Sequence, residues 1–189
     1  MFAVLGLIAL IPVFVIIAVA IKISSAGPVF FTQKRVGRNG KLFTIIKFRT
    51  MFAHNDANTI TTSSDMRITK FGSFLRKWKL DELPELYNIL IGEMSFVGPR
   101  PDVPGYADLL SGNERKILTL RPGITGPASL TYYNEEEILA GVEDPKEYND
   151  KVIFPDKVRI NLKYMERASL SEDLRIIYYT ILRKKNYEY

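Results

Sequence analysis

Near the middle of the chain, nine consecutive residues read Arg76-Lys77-Trp78-Lys79-Leu80-Asp81-Glu82-Leu83-Pro84. Cations precede an acidic pair, and the proline that follows is well tolerated in the first turn of a helix. Most acidic residues at such a position only cap the helix. A carboxylate flanked by cations can also attack phosphorus, because the cations neutralise charge on the phosphate oxygens. The stretch is therefore compatible with two interpretations, a structural helix cap and a phosphoryl-transfer site.

The residues on either side of this stretch have helical spacing. Apolar residues predict one helix over 67–78 and another that begins between Asp81 and Pro84 and ends at Gly92. A third amphipathic helix is predicted over 170–182, either packed on the core or lying at a membrane interface. The segment 132–157 is acidic and is predicted to be rich in loops.

Two segments with strand-forming residues, 29–33 and 42–48, lie on either side of Asn39-Gly40. This dipeptide is typical of a hairpin turn in which both central positions take positive φ. The predicted fold is therefore a mixed α/β fold, a small domain with a β-hairpin and several amphipathic helices.

The first 21 residues contain no charged side chain. A straight helix of about 20 residues matches the ~30 Å hydrocarbon core of a bilayer, but Pro12 falls inside the run and disrupts helical hydrogen bonding. The run is predicted either to span the membrane or to bend and return as a re-entrant helix. We predict a membrane-embedded helix over 1–22 and a catalytic domain over 23–189. Cations that follow the run predict a cytoplasmic location for that domain, and they are Lys22, Lys34, Arg35, Arg38 and Lys41.

The overall composition excludes several kinds of catalytic and metal-binding site. The chain has no cysteine, which excludes disulfides, thiolate nucleophiles and cysteine-ligated zinc, and His54 is its single histidine. Its net charge of +5 suits anionic partners such as phosphates, acidic membrane lipid or nucleic acid. No zinc-finger spacing and no basic–aromatic platform is found, so no nucleic acid partner is predicted.

Several cations are candidates for binding phosphate. Pro99-Arg100-Pro101 and the segment from Arg121 to Pro127 each place an arginine beside prolines that stiffen the loop. The predicted phosphate- or nucleotide-binding residues are Lys47, Arg49, Arg76, Arg100 and Arg121. A divalent ion that bridges Asp81 and a diphosphate would add Lewis-acid help, and its oxygen ligands favour Mg²⁺.

Four ordered motifs are similar to those of a known family. They are Lys47-Phe48-Arg49-Thr50-Met51, Leu80-Asp81-Glu82-Leu83-Pro84-Glu85-Leu86, Met94-Ser95-Phe96-Val97-Gly98-Pro99-Arg100-Pro101 and Arg121-Pro122-Gly123-Ile124-Thr125-Gly126. Across nearly the whole chain, from about Gly6 to Leu182, the sequence resembles the bacterial sugar transferases, the monotopic phosphoglycosyl transferases. The resemblance is to the minimal catalytic form of that family.

The resemblance implies a reaction and a place for it. A sugar 1-phosphate would move from a UDP-sugar to polyprenyl phosphate, such as undecaprenyl phosphate, with release of UMP. Asp81 would attack the β-phosphate and carry a covalent phosphosugar, Glu82 would support it, and Mg²⁺ would be the cofactor with Asp81 as its ligand. The apolar segment would be re-entrant, at the cytoplasmic face of the bacterial inner membrane, and the reaction would be the first membrane step of polysaccharide or glycoconjugate synthesis.

Two other interpretations stay open. A membrane-tethered basic module that binds anionic lipid or nucleic acid would explain the charge and the apolar run, but it gives Asp81 and Glu82 no role. A scaffold with an inactive site would keep the motifs without turnover. Release of UMP distinguishes the enzyme from both.

Overall fold

The computed structural model describes residues 2–52 and 65–182, with only the backbone described for residues 2–5. Within these residues the chain forms two compact units. The first unit comprises 2–34, 44–52 and 65–92, and the second comprises 35–43 and 93–182. His54 lies outside the described residues. The boundary predicted between a membrane-embedded helix over 1–22 and a catalytic domain over 23–189 stays a prediction.

The apolar run at the N-terminus forms two helices, α1 (Phe2–Ala9) and α2 (Ile11–Ser24), which meet at Leu10. Pro12 lies in the first turn of α2. Because proline has no N–H and its ring collides with the carbonyl four residues earlier in a continuous helix, the interruption falls ahead of Pro12. Among the helices in the described part of the chain, none has both the length and the apolar character needed to cross a membrane.

Helix α2 supplies the core of the first unit. Ile17 and Ile21 are buried against Phe48 and Leu75, with Leu80 and Leu83 at the edge of the same cluster. Full burial of each large apolar side chain stabilises the fold by about 1.5–3 kcal/mol. Leu80 and Leu83 flank the acidic pair, and this cluster therefore holds the pair in place.

The predicted hairpin is confirmed. Strand β1 (Phe30–Val36) pairs with β2 (Leu42–Phe48), and the turn between them has φ 58° at Asn39 and φ 76° at Gly40. Positive φ at both central positions is what the dipeptide predicts. The Lys41 N–H donates to the Arg38 carbonyl at 3.2 Å and closes the turn.

The basic stretch and the acidic pair lie on different elements. Helix α3 (Lys70–Lys77) is capped by the Thr69 hydroxyl, which accepts from the Gly72 N–H at 2.8 Å. A 3₁₀ turn over Leu80–Glu82 follows, and α4 (Glu85–Leu90) begins after Pro84. The second predicted helix thus begins just beyond the expected range, and the acidic pair lies in the turn that precedes it.

In the second unit, β3 (Ser95–Val97) and β4 (Gly123–Thr125) form a parallel pair. Their backbones approach closely at glycines. A Cβ at Gly98 would lie 2.3 Å from the Arg121 carbonyl oxygen, and one at Gly123 would lie 2.2 Å from the Gly98 nitrogen. Because no side chain fits there, glycine allows the two arginine-bearing motifs to lie side by side.

The prediction that 132–157 is rich in loops is wrong. After α5 (Pro127–Thr131), the chain forms α6 (Glu135–Ala140), α7 (Pro145–Tyr148), a π-helical turn and α8 (Phe154–Arg167). Acidic residues in the first turn of α6 favour the helix because they complement its dipole. The Asp144 side chain caps α7 by accepting from the Glu147 N–H at 2.9 Å.

Helix α9 (Leu170–Leu182) has the predicted bounds. It packs on the core through Ile176, which is fully buried with Val97, Leu130 and Tyr164. Leu174, Tyr178 and Ile181, three of the four residues whose spacing predicted the helix, lie on its exposed face and are more than half exposed.

We expect Gly98→Ala to lower the free energy of unfolding by about 1–3 kcal/mol, since the new methyl group collides with the backbone. Urea unfolding followed by circular dichroism measures the loss. Gly141→Ala is the matched control: its methyl group would meet the Ile138 carbonyl oxygen at an ordinary 3.5 Å, and we expect a change within about 0.5 kcal/mol. Equal stability of the two variants would contradict the close contact.

Candidate active site

The acidic pair is buried in the first unit. Asp81 is 8% exposed and Glu82 is 5% exposed. Both lie in the 3₁₀ turn that follows Lys79, whose backbone adopts a left-handed conformation with φ 55°. A lysine in this conformation is strained by roughly 1–2 kcal/mol, and such strain is often found at functional sites.

Lys47 joins the acidic pair to strand β2. Its Nζ atom lies 3.0 Å from Glu82 Oε1 and 3.1 Å from Glu85 Oε1. Glu85 is 2% exposed and lies in the first turn of α4. One ammonium group therefore lies between two buried carboxylates, which strengthens electrostatic contacts because little water screens them.

Asn88 fixes α4 on the same strand. Its Nδ2 donates to the Thr44 carbonyl at 2.8 Å, and its Oδ1 accepts from the Ile46 N–H at 3.3 Å. The side-chain amide thus bonds to strand β2 as a neighbouring strand would. Because these bonds hold α4 against β2, they set the distance between Glu85 and Lys47.

The electrostatic setting of Asp81 is unusual. Burial raises the pKa of its carboxyl group, and the charge of Glu82 raises that pKa further. The charges of Lys47, Lys79 and Arg76 act in the opposite direction. The buried Oδ1 atom receives no hydrogen bond from any residue in the described part of the chain. A buried oxygen without a donor destabilises the fold, and perturbed groups of this kind are enriched at functional sites.

Arg49 contacts the backbone that follows α2. Its Nη1 donates to the Ala26 carbonyl at 2.6 Å, and its Nη2 donates to the carbonyl and hydroxyl oxygens of Ser25 at 2.8 and 3.0 Å. These bonds join the backbone just after α2 to the residue just after strand β2, two residues from Lys47. A phosphate-binding role for Arg49 stays a prediction.

Arg100 and Arg121 belong to the second unit. The Gly98 N–H donates to the Thr125 carbonyl and the Gly123 N–H donates to the Pro99 carbonyl, each at 2.9 Å, so the loops that carry the two arginines are in contact. Arg121 is exposed and Arg100 is partly buried. Their predicted role in phosphate binding also stays a prediction.

A partly buried carboxyl group, Asp102, follows the Arg100 loop. Burial raises its pKa to about 6, and Glu135 raises it in addition, whereas Lys157, Arg35 and Arg100 lower it. Lys157 is bound by Glu135, with its Nζ 2.6 Å from both carboxylate oxygens.

Comparison with known proteins identifies the family. Residues 1–185 match the sequence model of the bacterial sugar transferases. The chain belongs to the bacterial sugar transferase family. The resemblance carried by the four motifs is therefore confirmed.

Relatives of this sugar transferase include two proteins named as glucose-1-phosphate transferases and one named as an exopolysaccharide production protein. The chain is 40% identical over 187 residues to a UDP-glucose:undecaprenyl-phosphate glucose-1-phosphate transferase of Xanthomonas campestris, covering 96% of this chain and 36% of the relative. It is 37% identical over 187 residues to the protein of that name in Escherichia coli, covering 96% and 38%. It is 35% identical over 196 residues to the exopolysaccharide production protein ExoY of Sinorhizobium fredii, covering 95% and 80%. The chain thus spans little more than a third of the length of the first two.

Two charged residues of the sugar transferase, Glu85 and Asp102, were not predicted from the sequence to take part in its charged clusters. Glu85 lies three residues after Glu82, a spacing that brings side chains together on a helix, but the long-range contact with Lys47 has no sequence signal. Asp102 lies two residues after Arg100, and only the fold brings Arg35, Glu135 and Lys157 near it.

We expect Lys47→Met to lower the free energy of unfolding by about 3–5 kcal/mol, because it removes the ammonium between two buried carboxylates. Adding Glu85→Gln should recover part of this loss by removing one negative charge. Urea unfolding of the single and double variants measures the coupling between the two sites.

The matched control is Lys146→Met, which removes an exposed partner of Asp150 on the protein surface. We expect a loss below about 1 kcal/mol there. Additive effects of Lys47→Met and Glu85→Gln, with no recovery, would contradict the proposed contact.

Proposed function

We propose that this protein transfers a sugar 1-phosphate from a UDP-sugar to polyprenyl phosphate, with Asp81 as the covalent nucleophile and UMP as the first product. The observation that supports this most directly is Asp81 Oδ1, a buried carboxylate oxygen to which no described residue donates a hydrogen bond. The relatives named for transfer of glucose 1-phosphate to undecaprenyl phosphate support the substrate class. Among the carriers, undecaprenyl phosphate is the one that we propose.

The proposed chemistry is two displacements at one phosphorus atom. A carboxylate oxygen of Asp81 attacks the β-phosphorus, an Asp81–phosphorus bond forms, and the anhydride bond breaks so that UMP leaves with the bridging oxygen. A phosphate oxygen of the polyprenyl carrier then attacks the same phosphorus atom. The Asp81–phosphorus bond breaks, the carboxylate is restored, and the sugar leaves on a polyprenyl diphosphate.

The remaining charged residues support this attack. Lys47 holds Glu82 beside Asp81 through the 3.0 Å ion pair. Arg76 and Lys79 favour the ionised form of Asp81, since their charges oppose the rise in its pKa. We propose that Arg76 neutralises phosphate oxygens of the donor, because guanidinium groups match phosphate geometry.

The site also fits Mg²⁺. No group of three or more acidic or histidine side chains is arranged to hold a metal ion within residues 2–52 and 65–182. Mg²⁺ is, however, commonly held by one or two carboxylates together with substrate phosphates and water, and Asp81 Oδ1 is a buried carboxylate oxygen that lacks a donor. We propose Asp81 as the metal ligand. When bound, Mg²⁺ would supply positive charge that polarises the diphosphate.

We expect Asp81→Asn to reduce UMP release by about 10³-fold or more, because the amide cannot attack phosphorus. The assay contains the protein in detergent or nanodiscs, Mg²⁺, undecaprenyl phosphate and a panel of UDP-sugars. Glu143→Gln, at an exposed position, is the matched control and should keep full turnover. UMP release by Asp81→Asn close to that of the unaltered protein would refute the assignment, and no release with any donor would favour a binding module or an inactive scaffold.

The same preparation tests the covalent route. With donor and without the polyprenyl carrier, intact-protein mass spectrometry should detect a phosphosugar adduct, and peptide mapping should place it on Asp81. Turnover without any adduct under rapid acid quenching would instead indicate direct transfer between the two substrates.

We further propose that α1 and α2 form a re-entrant membrane helix and that the catalytic body lies at the cytoplasmic face of the bacterial inner membrane. The interruption at Leu10 supports this geometry. So do large apolar side chains that are more than half exposed along the two helices, since water-facing apolar patches of this kind are unfavourable. They are Ile8, Ile11, Val15, Ile16, Val19 and Ile23.

Because the chain has no cysteine, single cysteines can report the topology. Phe2→Cys and Ser24→Cys should both react with a membrane-impermeant maleimide in inverted membrane vesicles and be protected in right-side-out cells. Labelling of the two positions from opposite sides would mean that the helices together cross the membrane.

A further inference from the structure

Lys79 is an exposed lysine in the first unit that directly precedes the 3₁₀ turn of the acidic pair. Within residues 2–52 and 65–182, its Nζ atom donates no hydrogen bond and belongs to no ion pair. Lys47, by contrast, is held between two carboxylates. The described residues therefore leave the charge of Lys79 to another anion.

The backbone of Lys79 gives a second reason to look for a ligand. Its φ of 55° and ψ of 24° form the left-handed conformation that often follows an α-helix, but glycine is the residue that adopts it without strain. The dipole of α3 does not require a further cation, because Arg76 and Lys77 already lie in its last turn. Ligand binding therefore explains a strained lysine here better than stability does.

Two exposed aromatic side chains precede Lys79. The Trp78 N–H donates to the Phe74 carbonyl at 3.2 Å, so these residues are one helical turn apart and their side chains are neighbours. Phe74 is 48% exposed and Trp78 is 51% exposed. The Phe74 ring stacks on Phe71 with 6.0 Å between centroids, and Phe71 packs against the core of the first unit. The aromatic surface is thus fixed to the core while about half of it faces solvent.

We propose that Phe74, Trp78 and Lys79 bind the polyprenyl carrier, with the Lys79 ammonium on its phosphate and the two aromatic rings against its first isoprene units. This inference rests on the proposed function. It assigns the acceptor substrate to residues to which that function gives no contact with the carrier.

The order of these groups along the chain matches the order of groups in the carrier. Lys79 lies between Trp78 and Asp81, and its Cα atom is at most about 7 Å from that of Asp81 because the two are two residues apart. The carrier presents a hydrocarbon tail, then a phosphate, and its phosphate oxygen attacks the phosphorus atom on Asp81. Exposed tryptophan beside lysine is also typical of a membrane interface, from which this carrier arrives.

Lys79 would act in the second displacement. The carrier's phosphate oxygen forms a bond to the phosphorus atom, and the Asp81–phosphorus bond breaks to restore the carboxylate. The incoming phosphate and the phosphosugar both carry negative charge, so they repel each other. An ammonium group on the incoming phosphate offsets this repulsion, and its removal should slow this step more than the release of UMP.

The first test separates the two half-reactions in the unaltered protein, Lys79→Met and Lys70→Met. Lys70 is the matched control, since it is an exposed lysine in the first turn of the same helix. With donor alone, at a pH where the rate is constant, UMP release by Lys79→Met should change less than about threefold. The kcat/KM value for undecaprenyl phosphate should fall about tenfold or more, because a hydrogen bond to a charged group is lost. Lys79→Arg should recover most of this loss.

Lys79→Gly separates binding from stability. Glycine adopts the left-handed conformation without a Cβ atom, so the thermal unfolding temperature should not fall, while the carrier kinetics should match those of Lys79→Met. A lower unfolding temperature together with unchanged carrier kinetics would mean that Lys79 stabilises the fold and does not bind the carrier.

Geranyl phosphate, a soluble carrier with two isoprene units, tests the aromatic contact. Trp78→Ser should lower kcat/KM for geranyl phosphate about fivefold or more, because apolar contact with the first isoprene units is lost. A loss seen with undecaprenyl phosphate in nanodiscs but not with geranyl phosphate would mean that Trp78 only anchors the protein in the bilayer. Weaker donor binding by Trp78→Ser would instead mean that the ring stacks on uracil.

The remaining outcomes also overturn the inference. Slow UMP release and weak donor binding by Lys79→Met would assign the lysine to the donor diphosphate, and equal losses in Lys70→Met would mean a general effect of surface charge. Normal turnover with unchanged carrier kinetics in Lys79→Met would remove the inference alone. Absence of UMP release by the unaltered protein with every donor would remove the proposed function as well.

Discussion

The ammonium group of Lys47 between Glu82 and Glu85 is the contact on which the arrangement of the first unit depends. It joins a strand, a 3₁₀ turn and a helix at one point, with separations of 3.0 and 3.1 Å. Buried ion pairs of this kind are weak sources of net stability, because desolvation opposes the attraction. Their value here is positional, since Glu82 is held beside Asp81 while Asp81 Oδ1 has no internal donor.

In the second unit, close backbone packing places two arginine-bearing loops side by side. Backbone contact between Gly98 and Gly123 leaves no space for any Cβ atom. The glycines in the two motifs are therefore packing residues, and the arginines next to them depend on that packing. Asp102 lies in the same loop. The Val36 N–H donates to the Asp102 carbonyl and Arg35 donates to the Pro101 carbonyl, and these two hydrogen bonds fix its position.

Local patterns predicted the elements better than their contacts. Asn39-Gly40 defines its own turn because positive φ is a property of those two residues. The bounds of α9 follow from spacing, but its buried face does not: Ile176 faces the core while Leu174 and Tyr178 are exposed. Residues 132–157 were predicted as loops since their charge outweighed their weak periodicity, yet an acidic first turn and the Asp144 cap favour helices there.

The same limit applies to the candidate site. Motif resemblance indicated the acidic pair and its cations, whereas the partners that determine their geometry are 35 to 44 residues apart in sequence. Neither the contact between Lys47 and Glu82 nor that between Asn88 and Thr44 has a signal in local periodicity. Arg49 shows the converse, since its type suggested a phosphate ligand and its contacts are backbone carbonyls and the Ser25 hydroxyl.

The amide of Asn88 has a consequence beyond the site. The hairpin is a two-stranded sheet, and the outer edge of such a sheet can recruit a strand from another molecule. At Thr44 and Ile46 the carbonyl and N–H that would template such pairing are already bonded to one side chain. The residue that orients α4 therefore also occupies one acceptor and one donor on the outer edge of β2, so pairing with another strand there would require these two hydrogen bonds to break.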